Sequence, residues 1–145
     1  MKQGPFHLVP IGTVHHRDED AWIEIFPSYL DGLLGLEQFS HINVLYWLHE
    51  NDHEEGRTVL QVHPCGNEAN PLTGVFATHS PRRPNPIALS RCRVRSVEGS
   101  RIVVDEIDAF DGSPVLDIKS FFPDEASPPG EFRFPQWEKS EDGPQ

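Results

Sequence analysis

The chain has 145 residues, 37% of them hydrophobic, with fourteen prolines, eleven glycines and a net charge of −11. A chain of this length is expected to form one domain that buries roughly 70% of its unfolded surface, without a disulfide or metal staple. The charge argues against non-specific nucleic-acid binding, which relies on a positive field, and no run approaches the ~20 apolar residues of a membrane span.

The N-terminal Met-Lys-Gln-Gly-Pro-Phe lacks the apolar core of a signal peptide. A cytoplasmic protein without a membrane partner is therefore expected, with Cys65 and Cys92 as two reduced thiols. In chain order, residues 6–14 read as a first strand and Ala21–Phe26 as a second, stopped by Pro27. Leu30, Leu33 and Leu34 have helical spacing, but Gly32 and Gly35 each cost about 1 kcal/mol of propensity, so a short helix is expected there. Ile42–Leu48 is an apolar, β-branched and aromatic run that predicts a buried strand. Asn51–Gly56 reads as a polar loop, and Arg57–His63 as a further strand.

Gly74–Thr78 and Ile87–Val97 predict strands joined by a link with three prolines, Pro81, Pro84 and Pro86. Each proline fixes φ and removes a donor, and each pushes the residue before it into an extended conformation. The link is thereby stiff, and it displays His79, Arg82, Arg83 and Asn85 at defined angles, which lowers the ordering cost of binding a ligand. Ala88–Val97 and Arg101–Ile107 flank Glu98-Gly99-Ser100 as a hairpin, and Val115–Ile118 predicts one more short strand. Six or more short strands predict a mainly β fold, a small closed or nearly closed β-barrel with one or two short helices. Residues 1–137 would form it, with 138–145 as a polar tail.

Half of the twelve basic residues (Arg82, Arg83, Arg91, Arg93, Arg95 and Arg101) fall in one twenty-residue window. For Arg91, Arg93 and Arg95 this is either the solvated face of an alternating strand or a local patch for a phosphate or carboxylate. His49-Glu50-Asn51-Asp52-His53 spells the zinc-hydrolase pattern H-E-x-x-H, which works only on a helix. Asn-Asp at its centre is poor helix material, and no third ligand stands at a convincing spacing, so no metal site is assigned.

Three blocks, "FSHINVLYWLH" (39–49), "GVFATHSPRRPNPIALS" (74–90) and "DGSPVLDIKSFFP" (111–123), resemble the signature blocks of the TsaA/TrmO family, in the family's order and roughly its spacing. The resemblance implies a β-barrel methyltransferase that binds S-adenosyl-L-methionine outside a Rossmann fold and assembles as a homodimer. It also implies tRNA as partner, methylated on the exocyclic nitrogen of threonylcarbamoyladenosine in the anticodon loop. Carried over by position, the cofactor contacts are His49 and Glu50, His79 and Leu89, and Ser113, Pro114, Val115 and Leu116. Arg82, Arg83 and Asn85 are the polar loop residues expected to join them, while Leu89, Val115 and Leu116 are equally suited to core packing. No catalytic residue is assigned, and Glu50, Asp111 and Asp117 are unranked as general base. Departures from the family include His79 where an arginine is usual, Ala88 where a glycine is usual, and the lack of a Pro-Arg-Gln segment before the second strand. Two alternatives follow: a binding module for the cofactor or an adenosine-like ligand that has lost catalysis, and a zinc hydrolase through His49 and His53.

Overall fold

A computed structural model describes residues 3–124 and 130–135. Six antiparallel strands close into a barrel in the order β1-β2-β7-β6-β3-β8: β1 Gly12–Arg17, β2 Asp20–Ile25, β3 His41–Trp47, β6 Ile87–Glu98, β7 Arg101–Val104 and β8 Pro114–Ser120. A two-stranded ribbon, β4 Gln61–Val62 with β5 Thr73–Gly74, and one α-helical turn, α1 Glu54–Arg57, lie between β3 and β6. The barrel is the predicted fold class. The proposed tail, 138–145, lies outside the described residues.

Alternation builds the core. Ile42, Val44 and Tyr46 of β3, Ala21, Ile23 and Ile25 of β2, Cys92 and Val94 of β6, and Ile102 and Val104 of β7 all turn inward. Their partners face water: Arg91, Arg93 and Arg95 are exposed along β6, as a solvated strand face requires. β6 is twelve residues long because it serves two neighbours. Residues 87–93 pair with β3, and 94–98 pair with β7. Register shifts at Leu45/Tyr46 and at Val94/Ser96 supply the bends that closure of a small barrel needs.

Gly12 sits where three strands meet, opposite Ile25 on one side and Val115 on the other. A Cβ there would lie 2.3 Å from the Glu24 carbonyl oxygen, so the close approach of β1 and β2 requires glycine.

Four local expectations are corrected. The first strand begins at Gly12, not at residue 6, and Phe6, Leu8 and Val9 are exposed; Pro5 and Pro10 cannot donate to a ladder. The leucine-spaced segment forms 3-10 turns at Pro27–Leu33 and Leu36–Gln38, interrupted at Gly35. The strand expected at 57–63 shrinks to Gln61–Val62, because Arg57 closes α1. Glu54 and Glu55 open that turn and the His53 ring caps it, accepting from Gly56 N at 2.9 Å. The strand expected at 74–78 is two residues of β5 followed by a 3-10 turn, Val75–Ala77, whose Val75 is fully buried.

Candidate functional site

Three segments converge on one end of the barrel: the chain leaving β3, the proline link entering β6, and the loop from β7 to β8. The backbone ties the first two together, with Leu48 N donating to Pro86 O at 2.7 Å, and anchors the third to β1, with Val14 N donating to Ser113 O at 2.9 Å. Between them lies a cleft of about 580 Å³, lined by Tyr46, His49, Glu50, Phe76, Thr78, His79, Arg83, Asn85, Leu89, Ser90, Asp108, Phe110 and Ser113, among others. That is the size range of small-molecule sites.

The stiffness of the link has sources beyond its prolines. Arg83, half-buried, points its guanidinium back along its own loop. Nη1 donates to Thr78 O at 3.3 Å and Ser80 O at 3.1 Å, and Nη2 donates to Val75 O at 3.2 Å. Arg57 grips the loop from the other side, donating to Pro84 O at 2.8 Å and Asn85 Oδ1 at 3.2 Å. Asp52 orients Arg57 from 3.4 Å and also accepts from Trp47 Nε1 at 3.0 Å, and Arg57 lies 5.9 Å from the Trp47 ring centroid. A guanidinium suits this task because its rigid fork reaches several carbonyls at once.

Seven of the residues marked in the sequence therefore border one cleft: His49, Glu50, His79, Arg83, Asn85, Leu89 and Ser113. Four stand elsewhere. Arg82 faces Glu55 at 3.6 Å and lines a neighbouring hollow with His63 and Cys65. Pro114 and Val115 pair with Thr13 and Gly12 in the barrel wall, Val115 fully buried, and half-buried Leu116 follows them on β8. Of the three carboxylates left open as a base, Glu50 alone lines the cleft. Asp111 accepts from His16 N at 2.9 Å, and Asp117 lies beside Lys119 at 3.5 Å.

Sequence reasoning missed Arg57, Tyr46, Ser90, Asp108 and Phe110. The Tyr46 hydroxyl lies 3.1 Å from Ser90 Oγ, and burial pushes its pKa up, so it stays protonated at neutral pH. Burial, then the nearby Asp108 charge, pushes the Cys92 thiol up to about 12. The acidic spacing of Asp105, Asp108 and Asp111 was a signal for the third segment, but no periodicity marked it as a wall.

The cleft suits S-adenosyl-L-methionine. Asp108 and Glu50 line the cleft and make no ion pair among the described residues, which leaves Asp108 available to the positive charge of a methyl donor and Glu50 available to a proton. Ile87, Ala88 and Leu89 offer apolar surface to an adenine ring. The geometry required for zinc is not formed: His49–Asn51 is one 3-10 turn, and His53 is the extended cap of α1. The described residues contain no group of three metal-ligating side chains.

Comparison with known proteins agrees with this chemistry. A Pyrococcus horikoshii protein named "Probable S-adenosyl-L-methionine-binding protein" is 47% identical over 121 residues, 83% of this chain and 86% of that one. A mouse protein, tRNA (adenine(37)-N6)-methyltransferase, is 42% identical over 104 residues, 72% of this chain but 23% of its own length. The crystal structure of TrmO from Pseudomonas aeruginosa superposes with a TM-score of 0.64 at 26% identity, covering 88% of this chain and 63% of that one. The family model of the tRNA-methyltransferase O N-terminal domain matches residues 5–126, and the chain belongs to that family.

Proposed function

We propose that the cleft binds S-adenosyl-L-methionine and that the protein transfers its methyl group to an adenine amino nitrogen in tRNA. One observation carries this reading: three segments distant in sequence place apolar walls and two carboxylates that make no ion pair among the described residues around a single cleft in a barrel of this family. S-adenosyl-L-methionine supplies a methyl group on a sulfonium that leaves as a neutral thioether. The chain's own part is then alignment more than acid–base power. Arg83 and Arg57 hold the proline link rigid, Asp108 faces the positive charge of the donor, and Glu50 accepts the proton released by the acceptor nitrogen. Tyr46 and Ser90 offer hydroxyls for the donor's polar groups. His79, at the mouth, and Arg82, beyond it, are placed to meet the acceptor side. The chain acts in the cytoplasm, where tRNA is found, and as a homodimer. The described residues contain no helix long and apolar enough to cross a membrane.

The direct test is transfer of tritiated methyl from S-adenosyl-L-methionine to tRNA carrying threonylcarbamoyladenosine, with Glu50→Gln as control. Transfer by the wild type is expected, reduced about 100-fold in the variant, with S-adenosylhomocysteine affinity changed by less than about threefold, the residual expected of an exposed carboxylate. Binding of the donor without turnover on any tRNA would leave a binding module in place of an enzyme.

A further inference from the structure

Two phenylalanines border the cleft and are held out of the core. Phe76 is 79% exposed and Phe110 is 59% exposed. A single exposed apolar side chain needs no explanation, but these two share a cleft and both stand on backbone that is firmly held. Phe76 occupies the middle of the 3-10 turn Val75–Ala77. Val75, beside it, is buried, donates its N–H to Leu60 O at 2.9 Å, and accepts from the Arg83 guanidinium and the Thr78 hydroxyl. Phe110 lies between Ala109 and Asp111, and both neighbours are gripped by one residue of β1. His16 donates from its ring to Ala109 O at 2.6 Å, and its backbone N–H donates to Asp111 Oδ1 at 2.9 Å. The Phe110 carbonyl in turn accepts from Ser113 N at 3.0 Å. Rings displayed on fixed backbone lose little entropy when a flat partner stacks on them.

From this we infer that Phe76 and Phe110 are stacking platforms for the methyl acceptor: an unpaired nucleobase of an RNA loop, drawn from its own strand to the mouth of the cleft. The inference rests on the methyl-transfer reading. Aromatic platforms recognise bases splayed from single-stranded loops, and the stacking part of that recognition does not depend on a positive field. This reconciles an acidic protein of net charge −11 with a nucleic-acid substrate. The deeper wall, with Tyr46, Ser90 and Ser113, is left to the methyl donor.

The test uses Phe76→Trp and Phe110→Trp as fluorescent reporters and Phe76→Leu and Phe110→Leu to remove the ring while keeping apolar bulk. The probe is an RNA hairpin with a seven-nucleotide loop containing unpaired adenosine, titrated with S-adenosylhomocysteine present; a fully paired RNA is the control. The expected result is quenching of the introduced tryptophan by the hairpin, none by the paired RNA or by S-adenosylhomocysteine alone. The leucine variants are expected to bind the hairpin roughly 5- to 100-fold more weakly, with S-adenosylhomocysteine affinity and melting temperature unchanged. Quenching by S-adenosylhomocysteine alone, with its affinity lost in the leucine variants, would assign the rings to the donor's own adenine and overturn the proposal. A wild type that binds S-adenosylhomocysteine but not the hairpin, or leucine variants that bind the hairpin unchanged, would overturn it while sparing the donor site. A wild type that does not bind S-adenosylhomocysteine overturns the methyl-transfer reading and the stacking role with it.

Discussion

Arg83 shows how a residue expected to touch a ligand acts one step earlier. Its guanidinium is spent on the carbonyls of Val75, Thr78 and Ser80, so it fixes the wall of the cleft. Arg83→Ala is expected to lower stability by only about 1–2 kcal/mol, since its three bonds are charge-assisted but half exposed to water. It is also expected to weaken S-adenosylhomocysteine about tenfold, as the loop regains freedom; Arg83→Lys is not expected to restore binding, because an ammonium cannot span three carbonyls. Calorimetric titration of both variants checks this, and a lysine variant with wild-type affinity would contradict it. The two thiols give a second residue-scale prediction. Cys65 is exposed, while Cys92 is buried with its pKa raised to about 12. At pH 8 a thiol reagent is expected to label one cysteine per native chain and two after denaturation, because the thiolate is the reactive species.

At the scale of elements, β1 governs both closure and the cleft. Gly12 lets it approach β2, and His16, four residues on, holds the loop that carries Phe110. Gly12→Ala would put a methyl group against the Glu24 carbonyl, and neither is a flexible side-chain end. A loss of about 1–3 kcal/mol is expected, or roughly 3–10 °C in melting temperature for a domain of this size; a variant melting within 1 °C of wild type would contradict this account of closure. The strands themselves were legible from apolar, β-branched runs bounded by turn signals: β3, the β6–β7 hairpin and β8 all appear within a few residues of where those runs put them. Residues 57–63 and 74–78 also looked like strands. Their fate was decided by a His53 cap and a buried Val75, which are tertiary facts that local propensity does not carry. The proline link was legible as rigid, and the family blocks marked His49, Glu50, His79, Leu89 and Ser113 at the cleft. Arg57 and Asp108 were not, because their roles arise only when segments far apart in the chain meet.

At the scale of the whole molecule, charge is sorted over the barrel. His41 lies on the β3–β6 face opposite Arg93, with Arg91 nearby; burial first, then those two charges, hold its pKa below the usual 6.5, with Glu131 and Asp105 opposing. A depressed folded-state pKa means the unfolded chain binds the proton more readily. The native state is therefore unpenalised above about pH 6.5 and loses stability as pH falls through the lower folded value. The melting-temperature gap between wild type and His41→Asn is expected to move in favour of the variant as pH drops from 7 to 5, and a constant gap would exclude His41 as a source of acid sensitivity. The same sorting leaves Glu50 and Asp108 at the cleft without cationic partners among the described residues, and on that the account of the site turns. The most direct measurement is calorimetric titration of S-adenosyl-L-methionine into the wild type and into Leu89→Arg, which sets a cation on an exposed wall of the cleft without disturbing the core. Saturable binding at one molecule per chain, weakened at least about tenfold in Leu89→Arg at unchanged melting temperature, is the predicted result. Equal affinity in both proteins, or no binding to the wild type, would contradict the claim that this cleft holds the methyl donor.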